Sequence, residues 1–182
     1  WLTAYRMLFT RGQITPGMTI LVQGATGGVA TALTVLGAAA GVRVWVTGRT
    51  AEKREQALKL GAEQAFESGA RLPERVDAVM ETVGQATWKH SIRSLKPGGK
   101  LVVSGATSGA APPAELSRVF FLQLSVIGST MGTREELERL TRFCLERDIR
   151  PTLHATLPLT DARQGFQAML EGDVVGKIVF TI

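Results

Sequence analysis

The stretch Val22-Gln23-Gly24-Ala25-Thr26-Gly27-Gly28-Val29-Ala30 constrains this chain more than any other. It follows an apolar run at 18–22 with the character of a buried strand. It precedes an alanine-rich run at 30–40 with the character of a helix. A strand, a glycine-rich turn and a helix, in that order, present unpaired N–H groups and the positive end of a helix dipole to an anion. Glycine lets the turn be tight and lets a phosphate approach the backbone. The string departs from GxGxxG, with Ala25 at the first glycine and Ala30 at the last, so its context carries the reading. About twenty residues beyond Gly27, a second strand at 42–47 ends in Gly48-Arg49-Thr50. An NAD site places an acidic residue there to hold the ribose hydroxyls. Glycine and arginine in that slot point to a 2′-phosphate, and so to NADP(H).

Strand-like and helix-like segments alternate through the rest. Helices are predicted at 2–9, 28–40, 51–60, 85–95 and 115–122, and from Thr133 to about 147, where Thr133 and Glu136 have capping-box spacing. Strands are predicted at 19–22, 42–47, 64–66, 76–81, 100–104 and 124–128, with Lys96-Pro97-Gly98-Gly99 as a tight turn into the fifth. This alternation predicts an α/β fold, a Rossmann-type doubly wound parallel sheet with helices on both faces. It covers residues 1–150. Residues 151–182 lie outside the pattern: an extended segment with two prolines, a helix at 161–171 capped by Thr160, and a strand at 177–182.

Composition narrows the function classes. The chain has 182 residues, 45% hydrophobic and 20% charged, with a net charge of +5. The basic residues are scattered among acids, with no aromatic-interleaved patch, so nucleic acid is not an expected partner. No apolar run reaches membrane-spanning length, so no membrane association is expected. Cys144 is the single cysteine, which excludes a disulfide within the chain and any cysteine-cluster metal site, and suits a reducing compartment such as the cytoplasm. The two histidines, His90 and His154, have no partner at ligand spacing; His90 is expected on a helix surface and His154 in an extended segment. Glu81 at a strand end is expected to serve in structural hydrogen bonding. Arg54 is expected to face away from the crevice.

The strings Leu2-Thr3-Ala4-Tyr5, Pro16-Gly17, Gly24-Ala25-Thr26-Gly27-Gly28-Val29, Leu60-Gly61-Ala62, Val76-Asp77-Ala78-Val79, Val83-Gly84, Leu95-Lys96-Pro97-Gly98-Gly99, Gly128-Ser129-Thr130-Met131-Gly132 and Gly176-Lys177-Ile178-Val179 occur in one order along the chain. Together they resemble the cofactor-binding half of the medium-chain dehydrogenase/reductase superfamily, in its quinone-oxidoreductase-like branch. The resemblance implies that an amino-terminal catalytic domain precedes this half, and that residues 151–182 return to it. It places Ala25, Thr26, Gly27, Gly28 and Val29 against the pyrophosphate. Gly48, Arg49, Thr50 and Lys53 fall to the adenosine ribose and its phosphate, and Thr82, Val83 and Gly84 to the adenosine side. Gly105, Ala106 and Thr107, with Ser129, Thr130 and Met131, fall to the nicotinamide end, and Thr3 near the nicotinamide amide. It further implies a small-molecule carbonyl, quinone or enone substrate, and a homodimer paired through residues 124–128. No catalytic residue and no metal ligand is assigned within the chain.

Two other readings stand beside this one. A zinc alcohol dehydrogenase half would share the same cofactor domain. A nucleotide-sensing or methyl-transferring Rossmann module would bind without hydride transfer; methyltransferases commonly end the second strand in an acidic residue, against Gly48-Arg49 here. Short-chain dehydrogenases use a Tyr-x-x-x-Lys pair, and the single tyrosine, Tyr5, is followed four residues later by Phe9.

Overall fold

The central strands carry apolar side chains on both faces, which requires a sheet covered on both sides. The computed structural model describes residues 1–172 and 174–182. In it, β1 (Thr19–Val22), β2 (Arg43–Gly48), β3 (Gln64–Glu67), β4 (Val76–Glu81), β5 (Leu95–Val103) and β6 (Ser125–Gly128) form one parallel sheet. Their order is β3-β2-β1-β4-β5-β6. Ile20, Val22, Val44, Val46, Ala78 and Met80 bury against one helical layer. That layer holds α1 (Leu2–Tyr5) with its π-helical continuation Arg6–Arg11, α2 (Gly28–Ala39), α3 (Ala51–Lys59) and α6 (Arg134–Glu146). Leu21, Trp45, Val79 and Leu101 point the other way, toward α4 (Gln85–Ser94) and α5 (Leu116–Phe121). This is the doubly wound α/β fold that the alternating pattern predicts. The strand order reverses between β1 and β4, and the crevice above their carboxyl ends is where such sheets bind ligands.

Several local expectations need correction. The first helix is one α-turn followed by a π-helix, not a regular helix over 2–9. The fifth strand begins at Leu95, because Leu95 already pairs with Val76; the register then shifts, and Lys96 to Gly99 form an irregularity within the strand. The tail forms its own parallel pair, β7 (Leu153–Pro158) and β8 (Lys177–Thr181), joined through α7 (Ala162–Glu171). Asp161, not Thr160, occupies the N-cap of α7, and no side chain caps it. The Thr160 hydroxyl lies 3.3 Å from Asp161 Oδ1 instead.

Two carboxylates tie neighbouring elements together: Glu136 within one helical layer and Asp77 within the sheet. The Thr133 capping box forms as its spacing predicts: Glu136 Oε2 accepts from the Thr133 amide at 2.7 Å. The same carboxylate receives Arg6 at 2.6 Å and the Thr10 hydroxyl, joining α6 to the first helix. Asp77 accepts from the Thr19 amide at 2.7 Å and from Lys96 Nζ at 2.8 Å. For both groups burial pushes the carboxyl up, but the bonds outweigh it and hold each below its ordinary value. A depressed folded pKa means stability present above the unfolded value and lost as pH falls through the folded one. The melting temperature is therefore expected to fall on acidification from about pH 4 downward. In Asp77→Asn and Glu136→Gln variants that drop should shrink, which thermal melts across pH will check.

Candidate functional site

The turn after β1 is left-handed at Gly24, with φ +90°, a conformation open to glycine. It leads to Gly27, which caps α2 with no side-chain acceptor, so the first-turn amides of α2 point outward without a cap. A Cβ added to Gly27 would meet nothing within 4 Å. The backbone is therefore open to a ligand at this point. Beside it lies a cavity of about 500 Å³ walled by the turn (Gly24, Ala25, Thr26, Gly27), the end of β2 (Thr47, Gly48, Arg49), Lys53, and Val83 and Thr87 across the switch point. Among the described residues its lining holds two cations, Arg49 and Lys53, and no carboxylate, which suits an anion. Thr107 and Ser108 close the far wall.

The residues named from sequence separate into two groups. Ala25, Thr26, Gly27, Gly48, Arg49, Lys53, Val83 and Thr107 share this one crevice. Gly28 and Val29 continue into α2, and Gly28 is half-covered by Lys177: a Cβ there would lie 2.8 Å from Lys177 Nζ. Thr50 caps α3 by accepting from the Lys53 amide. Gly84 and Gly105 form the floor, where added Cβ atoms would lie 2.5 Å from the Gly109 carbonyl and 2.8 Å from the Thr82 carbonyl. Ser129 and Thr130 line a separate cavity with Arg6, Arg11 and Ser104, beyond β5 and β6. Thr3, Thr82, Ala106 and Met131 line neither cavity.

Some side chains act differently from expectation. Lys53 Nζ reaches away from β2 and donates to the Gly172 carbonyl at 2.8 Å, at the carboxyl end of α7, where a cation offsets the helix dipole. Arg54 does not line the crevice; it donates to the Gly48 carbonyl at 2.9 Å. Its Cγ and the Ala25 methyl lie 3.0 and 3.1 Å from where a Gly48 side chain would begin. A side chain in the acidic slot would therefore need Arg54 or Ala25 to give by a few tenths of an ångström. His90 is half-buried, with Nδ1 2.9 Å from Gln23 Nε2 and Nε2 2.8 Å from the Ala70 carbonyl, so it is not a surface residue. Glu81 does have the structural bonding role expected of it.

Sequence reasoning missed Thr47, Ser68, Ala86, Thr87 and Ser108, which also line the crevice. Thr47 was accessible to it as the last side chain before Gly48 at a strand end. Ser68 and Ser108 come from loops without a motif. Lys177 was also missed as a neighbour of the turn; it arrives from β8, and the Gly176 amide lies 3.4 Å from the Thr26 carbonyl.

Among the described residues no group of three or more His, Cys, Asp or Glu side chains is placed to hold a metal ion. Nor is any helix among them long and apolar enough to cross a membrane.

Comparison with known proteins places this geometry among enzymes. A family model described as zinc-binding dehydrogenase matches residues 28–146. A probable quinone oxidoreductase of Schizosaccharomyces pombe is 29% identical over 194 residues, covering 98% of this chain and 59% of that protein. A solved NAD-dependent alcohol dehydrogenase superposes with a TM-score of 0.90 at 29% identity, over 100% of this chain and 56% of the other. A mycobacterial protein solved in complex with NADPH gives 0.84 at 27%, over 100% and 61%. The chain spans about half the length of the curated relatives it matches.

Proposed function

The chain belongs to the zinc-binding dehydrogenase family, and from that premise we propose that it is the NADP(H)-binding part of an oxidoreductase. Residues 1–150 are the dinucleotide domain, and 151–182 return to a catalytic domain in the longer protein. The observation that carries the cofactor choice is Arg49, exposed at the mouth of a crevice with no carboxylate among its described lining residues, beside a Gly48 where a side chain would be tightly packed. A guanidinium there offers a forked, charge-assisted contact to a 2′-phosphate. The open Gly27 backbone and the uncapped start of α2 receive the pyrophosphate, with Lys177 Nζ beside them as a second cation. Lys53, held by Gly172, is the weaker phosphate partner.

When bound, NADP(H) supplies the hydride at its nicotinamide ring. The protein's own task is to orient the dinucleotide across the switch point and exclude water from it. Gly105, Ala106, Thr107, Ser129, Thr130, Met131 and Thr3 border the nicotinamide end in this reading. The acceptor is a small carbonyl, quinone or enone compound. Titration of the chain with NADPH, followed by nicotinamide fluorescence, tests the assignment; absence of saturable binding overturns it.

The cytoplasm suits a chain with one half-buried, unpaired cysteine, Cys144. The same reading proposes a homodimer. Among the described residues β6 pairs with β5 alone, which leaves its other edge open, and Val126 on it is 47% exposed. An open apolar edge is a template for pairing, and two copies joined here make one continuous sheet. Light scattering at tens of micromolar is expected to show a dimer. Val126→Pro, which removes a ladder donor, is expected to give a monomer. A monomeric unmutated chain would refute the pairing.

A further inference from the structure

Below the crevice, the carboxyl ends of β1, β2 and β4 are joined through side chains. Glu81 is fully buried and receives four donors. The amides of Val83 and Gly84 reach Oε1 at 2.8 and 3.0 Å. The hydroxyls of Thr87 and Ser91 reach Oε2 at 2.8 and 2.6 Å. Ser91 Oγ in turn accepts from Gln23 Nε2 at 2.9 Å. Gln23 Oε1 accepts from Thr47 Oγ1 at 2.7 Å, and Thr47 Oγ1 accepts from the Gly24 amide at 3.2 Å.

The direction of this chain of bonds is forced by proton counting. Ser91 has one hydroxyl proton, and Glu81 takes it, so Ser91 can only accept from the Gln23 amide. The Gln23 carbonyl oxygen must then face Thr47. Thr47 gives its only proton to that oxygen and keeps a lone pair for the Gly24 amide. The second Gln23 amide hydrogen goes to His90 Nδ1, and His90 Nε2 donates to the Ala70 carbonyl.

We propose that Glu81 is a positioning residue for the cofactor crevice. Through Ser91, Gln23 and Thr47, one buried carboxylate sets three walls together: the Gly24 turn, the end of β2, and the Val83–Gly84 loop. Gly24, Thr47, Val83 and Thr87 all face the cavity, whereas Ser91 and Gln23 do not line it. Buried polar series of this kind are strengthened by the low local dielectric and are costly to leave half-satisfied. A side chain that served only the core would not end on backbone amides at opposite rims of one cleft. The inference rests on the NADP(H) reading for its ligand, but not for the existence of the series.

Two variants of this chain test it. Glu81→Gln turns one acceptor into a donor, and Ser91→Ala breaks the series at a residue that does not line the crevice. Amide hydrogen exchange and NADPH titration are measured below each variant's melting transition. In Ser91→Ala, exchange at Gly24 is expected to quicken by about tenfold or more, although the Gly24 amide lies three hydrogen bonds along the series. The NADPH dissociation constant is expected to rise roughly tenfold in Ser91→Ala and further in Glu81→Gln. A merely structural role would lower the melting temperature and leave the affinity of the folded fraction unchanged. Exchange at Gly24 unaltered in Ser91→Ala, or dissociation constants within about twofold of the unmutated chain in both variants, overturns the proposal. If the unmutated chain fails to bind NADPH, the cofactor reading falls, and the Gly24 exchange rates decide the positioning series alone.

Discussion

Gly27→Val is expected to abolish NADPH binding while leaving the fold intact. A Cβ at this position meets nothing within 4 Å, so the branched side chain fits the protein without strain from packing. Gly27 has φ −63° and ψ 154°, an extended geometry that valine adopts readily. The new methyls project into the crevice at the start of α2, where a pyrophosphate would have to approach the backbone. Losing that approach removes the dipole and amide contacts together, and a loss above about 100-fold is expected. Circular dichroism and a thermal melt check the fold, and fluorescence titration checks the affinity. Normal binding by this variant would mean that the turn is not the pyrophosphate site. Gly28→Asp is a less clean test, because its carboxylate would meet Lys177 Nζ.

Arg49→Ala is expected to erase the preference for NADPH over NADH. In the unmutated chain one charge-assisted phosphate pair should favour NADPH by roughly 1.5–3 kcal/mol, or about 10- to 150-fold. Arg49 is exposed and caps no element, so its removal should leave the melting temperature nearly unchanged. NADH affinity should also stay nearly constant, since NADH lacks the 2′-phosphate. Raising salt should weaken NADPH binding more than NADH binding, because an exposed pair is screened. Equal titration curves for the two cofactors with the unmutated chain would refute the assignment. A preference that persists in Arg49→Ala would shift it to Lys53, the other cation lining the crevice, or to Lys177 beside the turn.

The packing around Gly48 sharpens this second expectation. An acidic residue at 48 would begin within 3.0–3.1 Å of Arg54 Cγ and the Ala25 methyl. Converting the site to the NAD type by Gly48→Asp therefore also asks Arg54 or Ala25 to give by a few tenths of an ångström. Ala25, which departs from the glycine string, and Gly48, which departs from the acidic slot, are two sides of one contact.

How legible a feature was in the sequence depended on how far it reached along the chain. The strand–turn–helix at 19–39, the six-strand alternation and the Thr133–Glu136 cap are decided by neighbours a few residues apart. Backbone donors must find partners locally, and apolar period and turn chemistry say how. The topology then follows, because parallel strands joined by helices wind in one hand. The placement of Arg49 beside the phosphate turn was legible for the same reason: both end adjacent parallel strands, whose register is nearly fixed once they pair.

What only the tertiary structure decided are the meetings between segments distant in sequence. Lys177 comes to the Gly28 amide end from β8, and Lys53 is drawn to Gly172 at the end of α7. His90 turns inward because Gln23 and Ala70 together offer its two ring nitrogens partners that solvent would otherwise supply. Glu81 is buried because four donors, two from the loop after β4 and two from α4, meet at one point. No periodicity encodes such encounters. A side chain's partner across the fold depends on loop paths and on which buried donors remain unsatisfied once the strands have paired. The amino-acid order therefore determined the sheet, its cleft and the charge at its mouth. The folded chain alone determined which of those charges stay free to meet a ligand, and how the walls of the cleft are held.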